Sequence, residues 1–207
     1  MGKLVVDMFT TLDGVVQAPG GPREDTSGGF QHGGWQGPFF DDASGAVMAK
    51  GFATFDALLL GRKTYDIFAA YWPKQPKNAF SGQLNSVPKY VASRTLKKLE
   101  WRNSQLIEGD VAQAVPKLTQ KHKEVRVIGS ANLVQTLLKH DLVDRFNLWV
   151  YPIVLGSGKR LFGDGAVPAR LKLVEATSFA GGAVHLVYEA AGKPTYVDMT
   201  TQTLKTD

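Results

Sequence analysis

Three short apolar runs in this sequence stop at glycine or serine and pass at once into a polar, helix-like pattern: "LLLG-RKTY" (58–65), "YVAS-RTL" (90–96) and "RVIG-SANL" (126–133). Runs of this length, rich in branched residues and bounded by a small one, read as buried strands. A helix that follows directly presents free backbone N–H groups and its positive dipole end at the strand's carboxyl end. Three such junctions predict a mostly parallel sheet with helices on its faces, and they gather anion-binding groups along one end of that sheet. Glycine there lets a ligand approach the backbone closely. A dinucleotide has the length and charge for such a groove. Taken singly, Gly61 and Gly129 fit mere turn glycines, Ser93 and Thr64 fit helix caps, and Arg62 and Arg94 fit surface charges. Their conjunction points to a ligand. Neither the GxGxxG fingerprint nor the GxxxxGK[ST] loop occurs.

The remaining pattern fills in the architecture. "KLVVDMFTTLDG" (3–14) predicts a strand closed by an Asp-Gly turn. Residues 17–40 hold seven glycines and three prolines, a loop long enough to be functional. It also carries Phe30, Trp35, Phe39 and Phe40. Those rings either wall a substrate cavity, with Trp72 adding to the wall, or pack as a plug or at a dimer interface. Residues 41–55 predict a helix capped by Asp41 or Asp42, and residues 110–121 another, with Pro116 at its start or at a kink. Beyond 143 the alternation ends. "DRFNLWVYPIVLG", "ARLKLVEATSF" and "AVHLVYEA" predict three strands without helices between them, the last two joined at 180–182 as a hairpin. The expected fold is α/β: a three-layer α/β/α sandwich around a mixed, mostly parallel sheet with an antiparallel C-terminal edge. It forms one domain over 1–191, followed by a polar tail over 192–207.

Composition excludes several classes. The 207 residues include no cysteine, which removes disulfides, thiolate catalysis and cysteine-bound zinc. The four histidines have no ligand spacing, so no metal is expected. The formal net charge of +5 favours anionic ligands, but the lysines and arginines are scattered, without a nucleic-acid-binding stripe. The apolar runs at 57–60 and 148–155 are too short to span a bilayer, and the N-terminus lacks a signal-like pattern. A soluble cytoplasmic protein with a small-molecule substrate is expected.

Three segments resemble the dihydrofolate reductase-like superfamily, in particular the branch that includes the reductase domain of the bifunctional riboflavin-pathway deaminase–reductase. "TTLDGVVQAPGG" (10–21) is similar to its opening strand and turn, and "LLLGRKTYDIF" (58–68) to the Gly-Arg-x-Thr segment. "VIGSANLVQTLLKHDLVDRFNLWVYPIVLGSGKRLF" (127–162) is the most specific match. The resemblance implies NADPH binding, hydride transfer to a small heterocycle or carbonyl, and a homodimer. The implied substrate would be similar to a phosphorylated ribosylaminouracil or to dihydrofolate. Gly61, Arg62, Lys63 and Thr64 would meet the cofactor at the first junction, and Ser93 and Arg94 would hold the 2′-phosphate side. Gly129, Ser130, Ala131 and Asn132 would cradle the pyrophosphate, with Leu133 behind. Relatives carry two glycines where this chain has Gly129 and Ser130.

The proton donor is less defined. The resemblance implies a carboxylate on the first helix; counting back from Arg62 reaches Asp41, Asp42 and Gly45, and Asp42 is the candidate, although a helix N-cap suits it better. Asp13 ends the first strand near the expected nicotinamide, and equally suits a turn. Asp7 stands where the riboflavin branch has a lysine, which speaks against a phosphorylated sugar substrate. A non-catalytic nucleotide-binding protein on the same scaffold is the alternative.

Overall fold

The structure, a computed structural model, describes residues 1–163 and 166–200. Thirteen regular elements appear among them besides short 3-10 turns. They run β1 (Lys3–Thr11), α1 (Asp42–Phe52), β2 (Ala57–Gly61), α2 (Arg62–Tyr71), α3 (Ala79–Ser86), β3 (Lys89–Ala92) and β4 (Ser104–Leu106). Then follow α4 (Val111–Lys121), β5 (Glu124–Ile128), α5 (Ala131–Lys139), β6 (Arg145–Tyr151), β7 (Leu171–Ser178) and β8 (Val184–Ala190).

The strands form one eight-stranded sheet in the order β4-β3-β2-β5-β1-β6-β8-β7. Every pairing from β4 across to β6 is parallel, while β8 pairs antiparallel with both β6 and β7. The mixed sheet and its antiparallel C-terminal edge match the sequence pattern. The two helical layers follow from alternation along the central strands. Leu58 and Leu60 of β2 face a core shared with Met48 and Phe52 of α1, Tyr65 of α2 and Leu84 of α3. Ala57 and Leu59 face the opposite core, with Val115 and Leu118 of α4 and Leu133, Val134 and Leu137 of α5. Leu58, Leu59 and Leu60 are all fully buried, as a strand with helices on both faces requires.

Several local expectations change. The segment after β3 is not a helix. The Ser93 hydroxyl accepts the N–H groups of Thr95 and Leu96 at 3.3 and 3.0 Å, and Tyr65 Oη accepts that of Trp101 at 3.1 Å. The backbone donors are satisfied by side chains, so the chain runs as an irregular strap. Helix α3 and strand β4 had not been anticipated. Asn78 and Ser81 start α3 with a reciprocal capping box. The N-cap of α1 is Asp41, not Asp42. Helix α4 begins at Val111, capped by Asp110, and continues through Pro116. Residues 192–200 contain no helix or strand, and the end of the expected tail, 201–207, lies outside the described residues.

Candidate active site

A cavity of about 840 Å3 opens at the carboxyl ends of β2, β3 and β5. Its volume lies in the upper part of the usual range for ligand sites, roughly 300–1,000 Å3. All eleven residues expected to hold a cofactor line it: Gly61 to Thr64, Ser93 and Arg94, and Gly129 to Leu133.

The junction between β5 and α5 is built from two consecutive left-handed residues. Gly129 has φ 59° and Ser130 has φ 55°. Glycine adopts this conformation freely, whereas serine bears a cost of roughly 1–2 kcal/mol. Side-chain bonds hold Ser130 in place. Its hydroxyl accepts the Gly61 N–H at 3.0 Å, and its own N–H donates to Thr64 Oγ1 at 3.1 Å. The serine thus ties the first and third junctions together. Its side chain does not cap α5. The opening turn of that helix, at Ala131 to Leu133, borders the cavity and offers amides to an anion. Arg62 stands at the start of α2, where it bonds Thr95 Oγ1 and lies 3.5 Å from Asp66. Arg94 is exposed on the strap after β3.

The loop from 17 to 40 lies over the other side. Gln17 to Gly20, Glu24, Asp25 and Gln36 line the cavity. Asp25 is buried and clasped by two ammonium groups, Lys63 Nζ at 2.6 Å and Lys159 Nζ at 2.7 Å. Burial opposes its ionisation, but Lys159, Lys63 and Ser27 outweigh that and hold the carboxyl well below the usual range. Glu24 behaves oppositely. Burial pushes its carboxyl up, against the Gly20 N–H at 2.6 Å, and the Asp25 charge adds to the rise.

The aromatic wall expected from this loop is mostly a plug. Trp35 is buried, donates its indole N–H to the Gln17 carbonyl at 2.8 Å and meets Tyr151 edge-on at 5.6 Å. Phe39 packs against the same tyrosine. Phe30 lines a smaller cleft together with Gly158, where any Cβ would meet Val15 at 2.7 Å and Phe30 at 2.9 Å. Phe40 is half-exposed over Gly45. None of these four rings lines the main cavity; of the five expected wall residues, Trp72 does. The apolar lining comes instead from the helices, through Met48, Phe52, Phe68, Phe80 and Leu84. Met48 and Phe52 recur at helical spacing, which marks a core face, but nothing in the sequence shows which core residues border a void.

Neither expected proton donor lies in the cavity. Asp42 is an exposed first-turn residue of α1. Asp13 is a turn brace. It accepts from the Thr11 hydroxyl at 2.5 Å and from the Leu155 and Gly156 amides at 3.2 and 2.8 Å. The Thr11 bond is the main reason its pKa is lowered to about 2, with partial burial opposing and the two amides helping. Asp7 also points elsewhere. It pairs with Arg126 in the core and accepts from Asn147 Nδ2 at 2.6 Å. The aspartate at this place serves packing electrostatics, so it carries no direct information about the substrate. Among the described residues no group of three or more metal-ligating side chains comes together, and no helix is long and apolar enough to cross a membrane.

The strand order, the antiparallel edge and the groove at the parallel strand ends define a dihydrofolate reductase-like scaffold. Residues 2–185 match the RibD C-terminal domain family, and the chain belongs to that family. It is 30% identical to the uncharacterized protein YyaP of Bacillus subtilis (strain 168) over 201 residues, 92% of this chain and 96% of that one. Among solved structures, a protein assigned to riboflavin biosynthesis from Shewanella sp. PV-4 superposes with a TM-score of 0.71 at 21% identity, covering 91% of this chain and 99% of that one. The diaminohydroxyphosphoribosylaminopyrimidine deaminase/5-amino-6-(5-phosphoribosylamino)uracil reductase of Thermotoga maritima gives a TM-score of 0.59 at 15% identity. This chain covers 57% of that longer protein.

Proposed function

We propose that the protein is an NADPH-dependent reductase that delivers a hydride to a small heterocyclic or carbonyl substrate. The observation that carries this is the gathering of all eleven nucleotide-contact candidates on one cavity, with two arginines and an open helix start among them. In this reading the amides of Ala131 and Asn132 and the left-handed Gly129–Ser130 turn take the pyrophosphate, and Ser93 and Arg94 take the 2′-phosphate. Bound there, the cofactor supplies the hydride. The protein's part is to orient substrate, exclude water and supply a proton. Glu24 is the proposed donor, because it lines the cavity and burial favours its protonated form. Membership of the RibD C-terminal domain family supports an oxidoreductase. A cytoplasmic homodimer belongs to the same proposal, and the exposed outer strand β7 supports the dimer, since it leaves a sheet edge open to pairing.

The test has two stages. NADPH titration, followed by energy transfer from tryptophan, should saturate in the micromolar range; absence of binding at millimolar cofactor would refute the proposal. NADPH oxidation with a panel of heterocycles and carbonyl compounds then separates an enzyme from a non-catalytic binder. Glu24→Gln should lower kcat at least tenfold and leave NADPH affinity within twofold.

A further inference from the structure

We propose that the helix-lined end of the cavity takes an uncharged, flat and largely apolar ring compound and discriminates against its phosphorylated counterpart. This deepens the reductase reading and rests on it.

The lining supports it in three ways. First, Met48, Phe52, Phe68, Trp72, Phe80 and Leu84 supply side chains from α1, α2, α3 and the turn between the last two, and none of these can ionise. Phe52 meets Phe80 edge-on at 5.1 Å, and Phe68 meets Trp72 at 6.0 Å, so the surfaces offered are ring edges and faces. A phosphate placed there would lose its hydration without a compensating partner. Second, the cations of the loop side are engaged. Lys63 and Lys159 both bond Asp25, and Glu24 adds a further carboxyl beside them. Third, the other lining cations, Arg62 and Arg94, stand at the first and second junctions, where the cofactor's own phosphates would engage them. No lining cation remains to receive a phosphate on the substrate. Polar groups on the loop side can orient a ring, Glu24 and Gln36 among them. Gln36 Nε2 donates to Tyr151 Oη at 2.8 Å, which leaves its amide oxygen outside that bond.

Three probes share a benzo-fused pteridine skeleton, and only the last carries a phosphate: lumichrome, riboflavin and riboflavin 5′-phosphate. Their binding to the NADP+-saturated protein is read by fluorescence anisotropy, after NADP+ binding has been measured separately. Lumichrome and riboflavin should bind at least tenfold more tightly than the phosphate ester. Asp25→Asn, which releases Lys63 and Lys159, should shrink that preference at least threefold. Equal or tighter binding of the phosphate ester, or failure of lumichrome to bind a protein that does bind NADP+, would overturn the proposal while leaving the nucleotide reading intact. Absence of NADP+ binding would remove both.

Discussion

The buried pair of Asp7 and Arg126 allows a quantitative test of what holds the centre of the sheet. Asp7 is 2% exposed and Arg126 3%. Arg126 spans several partners: Asp7, Glu124, the Thr54 hydroxyl at 2.9 Å and the ring of Phe55 at 5.3 Å. Removing one member of a buried pair strands the other, which costs about 3–5 kcal/mol. The two halves should differ. Asp7→Ala leaves Arg126 bonded to Glu124, so its loss should fall near the lower end, about 3 kcal/mol. Arg126→Met leaves Asp7 buried with Asn147 as its remaining side-chain partner, so its loss should approach about 5 kcal/mol. In the double variant no stranded Asp7–Arg126 partner remains, and its loss should not exceed that of Arg126→Met, giving a coupling of about 3 kcal/mol. Asp7→Lys should be worse than Asp7→Ala because it buries two cations together. Urea unfolding followed by tryptophan fluorescence measures all four. Additive losses in the double variant, or a cost below about 1 kcal/mol for Asp7→Ala, would show that the pair does not act as a desolvated unit.

Ser130→Ala keeps the left-handed strain and loses the bond to Gly61, whereas Ser130→Gly loses the bond but relieves the strain; urea midpoints should therefore rank glycine above alanine, by about 1 kcal/mol. Arg94→Ala should weaken NADPH binding about tenfold and NADH binding less than threefold, as loss of a charge-assisted phosphate contact demands, and calorimetry with both nucleotides would show it. Lys89 is fully buried and donates to the Asn85, Val87 and Arg102 carbonyls. Burial, with the nearby Arg102 charge, lowers its pKa to about 8 from 10.5, so between those values the unfolded chain binds more protons than the folded one. Stability should accordingly rise with pH across that window, by up to about 3 kcal/mol, and Lys89→Met should remove that slope from the pH dependence of the urea midpoint.

Much of the scaffold could be read from residue order. Unbroken aliphatic triplets such as Leu58 to Leu60 can satisfy two apolar faces at once, and that requirement led directly to a parallel sheet between helical layers. The nucleotide-contact candidates were legible for a related reason. They sit within five residues of a strand end, so local pattern locates them. The strap after β3 was not, because "RTLKKLEW" carries apolar residues at a helical interval while its backbone donors are met by Ser93 and by the distant Tyr65. The loop aromatics failed similarly. Their abundance showed that something is covered, but whether Trp35 faces a void or a tyrosine depends on Tyr151, more than a hundred positions away. Asp13 and Asp42 looked like acids for chemistry because a carboxylate's use is set by its neighbours, and those are the Leu155 and Gly156 amides in one case and open solvent in the other.

The irregular exit from β3 bears on how this scaffold can diversify. On the proposed function, the grip on an anion at the β5 exit lies in main-chain amides, which no point substitution other than to proline can delete. At the β3 exit the Thr95 and Leu96 amides are already committed to Ser93, and a ligand can be met there by replaceable side chains. On the proposed function, a lineage could therefore exchange one coenzyme for the other through a single codon at Arg94, while the machinery shared by both coenzymes stays untouched.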